Sequence, residues 1–193
     1  MRNNHSNGYE AIAKDFIAYR KTSTIGLEAV RLWAHNLIPN AVILDLGCGN
    51  GIPITKALVK DGYSLYGIDA SPTLIASYRE NFPHLPVACE PVETSDFFNK
   101  KFDGVVAWGL MFLLSETDQI ELIHSVSNIL NPGGQFLFTS PEQVCTWRDN
   151  MTGRESQSLG AKRYKGILSS AELSFIGNRE DEGDNYYYFA KKE

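Results

Sequence analysis

Cysteine is scarce in this chain. Cys48, Cys89 and Cys145 are the only three among 193 residues. An odd count with no shared metal-ligand spacing excludes a disulfide scaffold, predicts no metal site and suits a reducing compartment. Long apolar runs are missing too. No stretch approaches the roughly 18 residues of a membrane span. The opening MRNNHSNG lacks the apolar core of a secretion signal. A cytoplasmic protein with no membrane partner is expected. Basic charge is in deficit: 18 Lys and Arg stand against 23 Asp and Glu, a net charge of −5. No basic patch stands out, so a nucleic-acid partner is not expected. Internal repeats and low-complexity tracts are also absent. With 43% hydrophobic and 21% charged residues, the chain reads as one globular domain over 1–193.

What is present is a concentrated glycine turn. Residues 41–53 read AVILDLGCGNGIP. Val42, Ile43 and Leu44 are a short apolar run, the pattern of a buried strand that ends in Asp45. Gly47, Gly49 and Gly51 follow at alternate positions. A helix is expected from about Ile52, with Pro53 in its first turn. Glycine belongs where the backbone turns with positive φ or where a ligand lies against it. A dinucleotide fingerprint would place its third glycine at position 52, which is Ile52. Asp45 would repel a pyrophosphate and attract an ammonium. Downstream, the apolar strand from Ser64 to Ile68 ends in Asp69, 18 residues past Gly51. A carboxylate there can accept both hydroxyls of a ribose.

DLGCGNG resembles the first motif of the class I S-adenosylmethionine (SAM) methyltransferases, of small-molecule type. The later turn LNPGGQFLF is similar to that family's post-motif turn. The resemblance spans Trp33 to Lys191. It implies an α/β fold: a Rossmann-like, doubly wound, seven-stranded sheet, mostly parallel with one antiparallel strand. Residues 1–38 would form amino-terminal lid helices and residues 39–193 the core. It implies SAM as cofactor. The methionyl end would lie on Asp45, Gly47, Cys48, Gly49, Asn50 and Gly51, with Cys48 a small residue beneath the cofactor. The ribose would lie on Asp69 and Ala70. The adenine would lie against Glu90, Pro91 and Val92, with Glu93 or Asp96 able to replace Glu90. Trp108 and Gly109 would meet cofactor and acceptor. The N/D-P-P-Y/F motif of amide and nucleic-acid amine methylases is absent, and WGLM takes its place. A small-molecule acceptor is therefore favoured.

The remaining chain reads in order. Tyr9, Ile12, Ala13, Phe16 and Ile17 form one helical stripe, and Leu27, Val30, Ala34, Leu37 and Ile38 a second that Pro39 closes. Arg20 either pairs with the SAM carboxylate in a two-pronged contact or sits on the surface. Ile54, Leu58 and Val59 form the buried side of a helix ended by Gly62. Ser71 caps the next helix, whose apolar face is Leu74, Ile75, Tyr78 and Phe82. Strands are expected over Pro86 to Ala88, Phe102 to Ala107 and Gln135 to Ser140. A helix spans Ser115 to Leu130, and His124 within it reads as structural. Pro141 to Leu159 shows no periodic pattern, and a connection of that length is often functional. A helix over Ala161 to Ala171 and strands over Leu173 to Asp181 and Asn185 to Lys191 finish the chain.

A SAM-dependent enzyme needs a base only when its acceptor must lose a proton, so no catalytic residue is assigned. Tyr9, Tyr19, Trp108, Trp147, Asp149, Asp184 and Tyr186 are the candidates for the mouth of the site. The alternative is a SAM-binding regulatory or scaffold domain that transfers nothing.

Overall fold

The computed structural model describes residues 5–193. Met1 to Asn4, part of the polar opening, lie outside the described residues. The chain forms a seven-stranded sheet in the order β3-β2-β1-β4-β5-β9-β8 and a separate two-stranded sheet, β6-β7. The strands of the main sheet are β1 (Val42–Leu46), β2 (Ser64–Asp69), β3 (Val87–Cys89), β4 (Phe102–Ala107), β5 (Leu130–Thr139), β8 (Leu173–Glu180) and β9 (Tyr186–Lys192). β1 pairs in parallel with β2 and β4, and β5 in parallel with β4. β9 runs antiparallel to both β5 and β8, which makes it the one reversed strand. The expected sheet is the one observed.

Successive side chains of a strand face opposite sides of the sheet, and the apolar runs of β1, β4 and β5 supply both faces. Leu44, Leu46, Val105, Ala107, Phe136 and Phe138 join one core. Their neighbours Ile43, Val106 and Leu137 join the other. Helices α5 (Glu116–Ile129) and α6 (Ala161–Ser170) cover the first face through Leu122, Ile123, Val126, Tyr164 and Leu168. Helices α2 (Leu27–Ala34) and α3 (Ile54–Lys60) cover the second through Val30, Trp33, Ile54 and Leu58. Each of these large aliphatic or aromatic side chains stabilises the fold by about 1.5–3 kcal/mol when fully buried.

Helix α4 (Pro72–Asn81) begins where its sequence predicts. Ser71 Oγ accepts the N–H of Leu74 at 3.2 Å, and Leu74, Ile75 and Tyr78 are buried. Ser115 caps α5 in the same way. Gly51, at φ +77°, faces Phe82 and Tyr78 so closely that no Cβ fits there. Other expectations shift. Helix α1 (Ala13–Arg20) starts after a run of turns over residues 5–12, so Tyr9 and Ile12 precede it. Ile38 lies beyond the end of α2 and is 62% exposed. Val59, on the outer side of α3, is 36% exposed. Helix α3 begins at Ile54, with Pro53 as its N-cap.

The largest departure lies in residues 141–159. They form an antiparallel hairpin, β6 (Val144–Arg148) and β7 (Glu155–Leu159), joined by a turn over 149–154. Its strands alternate serine, glutamine, cysteine and threonine with few apolar residues, so no hydrophobic period announces them.

Candidate functional site

Strand order reverses between β1 and β4, so their carboxyl ends open a crevice. A cavity of about 830 Å³ occupies it. Of the residues expected to bind cofactor, Arg20, Asp45, Gly47, Cys48, Gly49, Asp69, Ala70, Pro91, Val92, Trp108 and Gly109 line it. Asn50, Gly51 and Glu90 do not. Asn50 is buried, its side-chain oxygen accepting the N–H of Ile52 and its backbone carbonyl accepting from Asn81. Glu90 accepts from Ser95 Oγ at 2.5 Å, and its neighbour Glu93 reaches the cavity instead.

Two carboxylates define the floor. Asp45 at the end of β1 is 3% exposed and accepts from Thr55 Oγ1 at 2.7 Å. Burial, reinforced by Asp69, pushes its pKa up to about 7, against the opposing pull of the Thr55 hydroxyl and Arg20. Asp69 ends β2 and accepts the N–H of Gly49 at 2.9 Å and of Ser71 at 2.8 Å. Desolvation lifts it to about 6, although those two N–H groups oppose the shift. A buried carboxyl is raised in this way when its lost hydration outweighs the hydrogen bonds and charges that favour its ionised form. Cys48 is buried against Ile75 and Tyr78, and burial raises its thiol well above the ordinary range, which removes it as a nucleophile.

Among the described residues that line the cavity, Arg20 is the one Lys or Arg. It is 4% exposed, and its guanidinium carbon lies 4.2 Å from the centroid of the Trp108 ring. Such stacking contributes about 0.5–2 kcal/mol. Nη1 donates a long hydrogen bond of 3.4 Å to Ser23. Burial lowers its pKa, partly offset by Tyr19 and Tyr187. The ion pairs among the described residues are Arg31–Asp61, Arg163–Glu116 and Arg179–Glu28, so no protein carboxylate pairs with Arg20. A buried cation left this way suits an anionic ligand group.

The roof is built by the segment before α1. Glu10 reaches the first turn of α4, where Oε2 accepts from Ser71 Oγ and Thr73 N at 2.5 and 3.1 Å, and Oε1 accepts from Thr73 Oγ1 at 2.7 Å. Tyr9 donates to Asp149 Oδ2 at 3.3 Å in the β6–β7 turn. Phe16 meets Tyr9 edge-on at 5.4 Å and lies against Gly49. One strap thus joins α4 to the hairpin. Of the residues expected at the mouth, Tyr9, Tyr19, Trp108 and Asp149 line the cavity. Trp147 packs behind Phe112 at 5.4 Å, and Tyr186 donates to Glu142 at 3.3 Å. Asp184 is flanked by the lining residues Gly183 and Asn185 but does not itself line the cavity. Phe16, Leu110, Phe112, Asn150 and Met151 were not anticipated. Phe16 comes from the apolar stripe of α1, and the other four come from the segment after β4 and from the hairpin turn, where no periodicity marks an inward face.

A family model described as a methyltransferase domain matches residues 43–134, a stretch from β1 through the turn before β5's apolar run. That match covers slightly less than half of the chain. A curated relative, an uncharacterized methyltransferase of Synechocystis, is 28% identical over 109 residues, 56% of this chain and 51% of its own length. A tRNA U34 carboxymethyltransferase of Aliarcobacter butzleri is 26% identical over 161 residues, 71% of this chain and 52% of its own length. The chain therefore spans about half the length of these two relatives. Among solved structures, the N-methyltransferase NodS of Bradyrhizobium japonicum, in complex with S-adenosylhomocysteine, superposes with a TM-score of 0.74 at 18% identity, over 98% of this chain and 99% of NodS. The 1,6-didemethyltoxoflavin N1-methyltransferase of Burkholderia thailandensis has the same TM-score, 0.74, at 16% identity, over 97% of this chain and 90% of its own. These likenesses are of fold. Among the described residues no helix is long and apolar enough to cross a membrane, and no cluster of potential metal ligands forms.

Proposed function

We propose that this chain transfers the methyl group of SAM to a small-molecule acceptor entering beside Trp108 and the β6–β7 turn. The carrying observation is the charge pattern of the cavity: two raised carboxylates, Asp45 and Asp69, and one unpaired buried guanidinium, Arg20. SAM carries the inverse pattern, a sulfonium and an ammonium with one carboxylate, and a ribose diol besides. In this reading Asp69 and Ala70 hold the ribose, Asp45 faces the ammonium and Arg20 takes the carboxylate. Gly47 and Gly49 let the backbone approach, with Cys48 packed beneath. Pro91, Val92 and Glu93 border the adenine.

SAM, when bound, supplies a methyl group already made electrophilic by its sulfonium. The chain then has to align the acceptor and exclude water. Alignment alone is worth several kcal/mol in rate. Trp108, Gly109 and Phe112 supply the wall against which an acceptor rests, and the strap over 5–12 closes the water side. A tRNA acceptor is what some relatives' names suggest. The net charge of −5 and the acidic residues Glu93, Asp118 and Asp149 around the cavity favour a small acceptor.

Calorimetry with S-adenosylhomocysteine, with NADH as control, followed by an assay for its release from SAM across small amines, phenols and carboxylic acids and unmodified tRNA, tests the proposal. Micromolar binding and turnover with a small acceptor support it. Turnover on tRNA alone corrects the acceptor, and binding without any turnover leaves a regulatory or scaffold domain.

A further inference from the structure

A line of hydrogen bonds leaves the cavity and ends in the turn between β8 and β9. Trp108 Nε1 donates to Tyr187 Oη at 2.7 Å, and that hydroxyl donates to Asp181 Oδ2 at 2.6 Å. Asp181 is fixed in turn by the N–H groups of Gly183 and Asn185, at 2.9 and 3.0 Å, and by the Asn185 amide. Desolvation opposes its ionisation, but the hydrogen bonds from Tyr187, Asn185 and Gly183 outweigh it and hold the carboxyl below its ordinary range. Asp181 is therefore a firm anion and a firm acceptor.

The next residue is tied to the same pair of strands. Gly109 N donates to Thr139 Oγ1 at 2.8 Å, and Thr139 faces Tyr187 across the β5–β9 register. On the opposite side, the backbone of Gly26 at φ +87° lies so close that a Cβ would sit 2.6 Å from Trp108 Nε1 and 2.9 Å from Tyr187 Oη. The indole is thus held by its polar edge, while its face carries Arg20 at 4.2 Å. A guanidinium that stacks on a ring inherits that ring's orientation. A free indole edge would leave both groups loose.

We propose that Tyr187, backed by Asp181, is a positioning residue: it fixes the Trp108 indole and, through it, the Arg20 guanidinium where the methionyl carboxylate of SAM binds. This rests on the cofactor reading above. It predicts an effect confined to ligands that carry the carboxylate.

The test is calorimetry with two probes, S-adenosylhomocysteine and 5′-methylthioadenosine, which keeps the nucleoside but lacks the amino-acid end. Wild type prefers the former. Tyr187→Phe reduces that preference about fivefold to tenfold, the loss of one hydrogen bond, and leaves affinity for 5′-methylthioadenosine unchanged. Trp108→Phe keeps a ring under Arg20 but removes the tether, so it gives the same loss and serves if Tyr187→Phe does not fold. The double variant loses no more than either single one, because both break one link. Equal weakening of both probes, or fully additive losses, overturns the relay and leaves Tyr187 a packing residue. Wild type that binds both probes equally also overturns it. Wild type that binds neither probe overturns the cofactor reading itself.

Discussion

Asp69 accepts the backbone N–H of Gly49 at 2.9 Å, so the end of β2 and the middle of the glycine turn form one hydrogen-bonded unit. Its other oxygen accepts the N–H of Ser71. Asp69→Ala leaves both donors without their acceptor. We expect about 1–3 kcal/mol of lost stability in urea denaturation, together with about a 10- to 100-fold loss of S-adenosylhomocysteine affinity if Asp69 holds the sugar as proposed. Wild-type affinity in this variant would separate Asp69 from the ligand.

Glu10 clamps the strap to α4 through three hydrogen bonds. Those from Ser71 and Thr73 outweigh the desolvation of its carboxyl and lower its pKa. Glu10→Ala should speed release of S-adenosylhomocysteine several-fold in stopped-flow measurements while the sheet stays intact. An unchanged release rate would mean that the segment before α1 is no lid.

The two floor carboxylates make binding pH-dependent. Asp45 and Asp69 titrate near 7 and 6 in the free protein, above their ordinary range. The folded state therefore holds more protons than the unfolded chain between about pH 4 and 7. Their contribution to stability falls as pH rises through that window. A cationic ligand that needs the ionised pair binds more tightly over the same rise and releases protons. Calorimetry near pH 6.5 in buffers of different ionisation enthalpy should show proton release; proton uptake would contradict the assigned roles.

Tyr164 is a buried hub remote from the cavity. Its hydroxyl donates to Gln119 Oε1 at 2.6 Å, bonds Ser140 Oγ at 2.8 Å and accepts the N–H of Leu159 at 3.2 Å. Tyr164→Phe should cost about 1–3 kcal/mol by stranding those groups, without changing ligand affinity. A loss under about 0.5 kcal/mol would show that water replaces the hydroxyl.

Much of this was legible in the sequence because strong local signals coincided. The apolar run ending in Asp45, the three glycines and the second acid at Asp69 each reflect a backbone or charge requirement that cannot be met otherwise. β4 falls on Phe102–Ala107, as its apolar run predicts. The hairpin β6–β7 was not legible, since its strands are mostly polar and give the main core only Leu159. Asn50 and Glu90 stand beside lining residues in sequence, but their side chains turn to Ile52 and Ser95, and Gly51 lies against Phe82 and Tyr78; no motif reveals those directions. The Trp108–Tyr187–Asp181 line joins residues 73 positions apart between Trp108 and Asp181, a closeness that strand pairing creates and no motif announces.

The most direct measurement is a crystal structure of the chain with S-adenosylhomocysteine. The account predicts the ribose hydroxyls on Asp69, the amino group beside Asp45 and the carboxylate on Arg20 above Trp108. A ligand lying outside the glycine turn, or one whose carboxylate points away from Arg20, would contradict it.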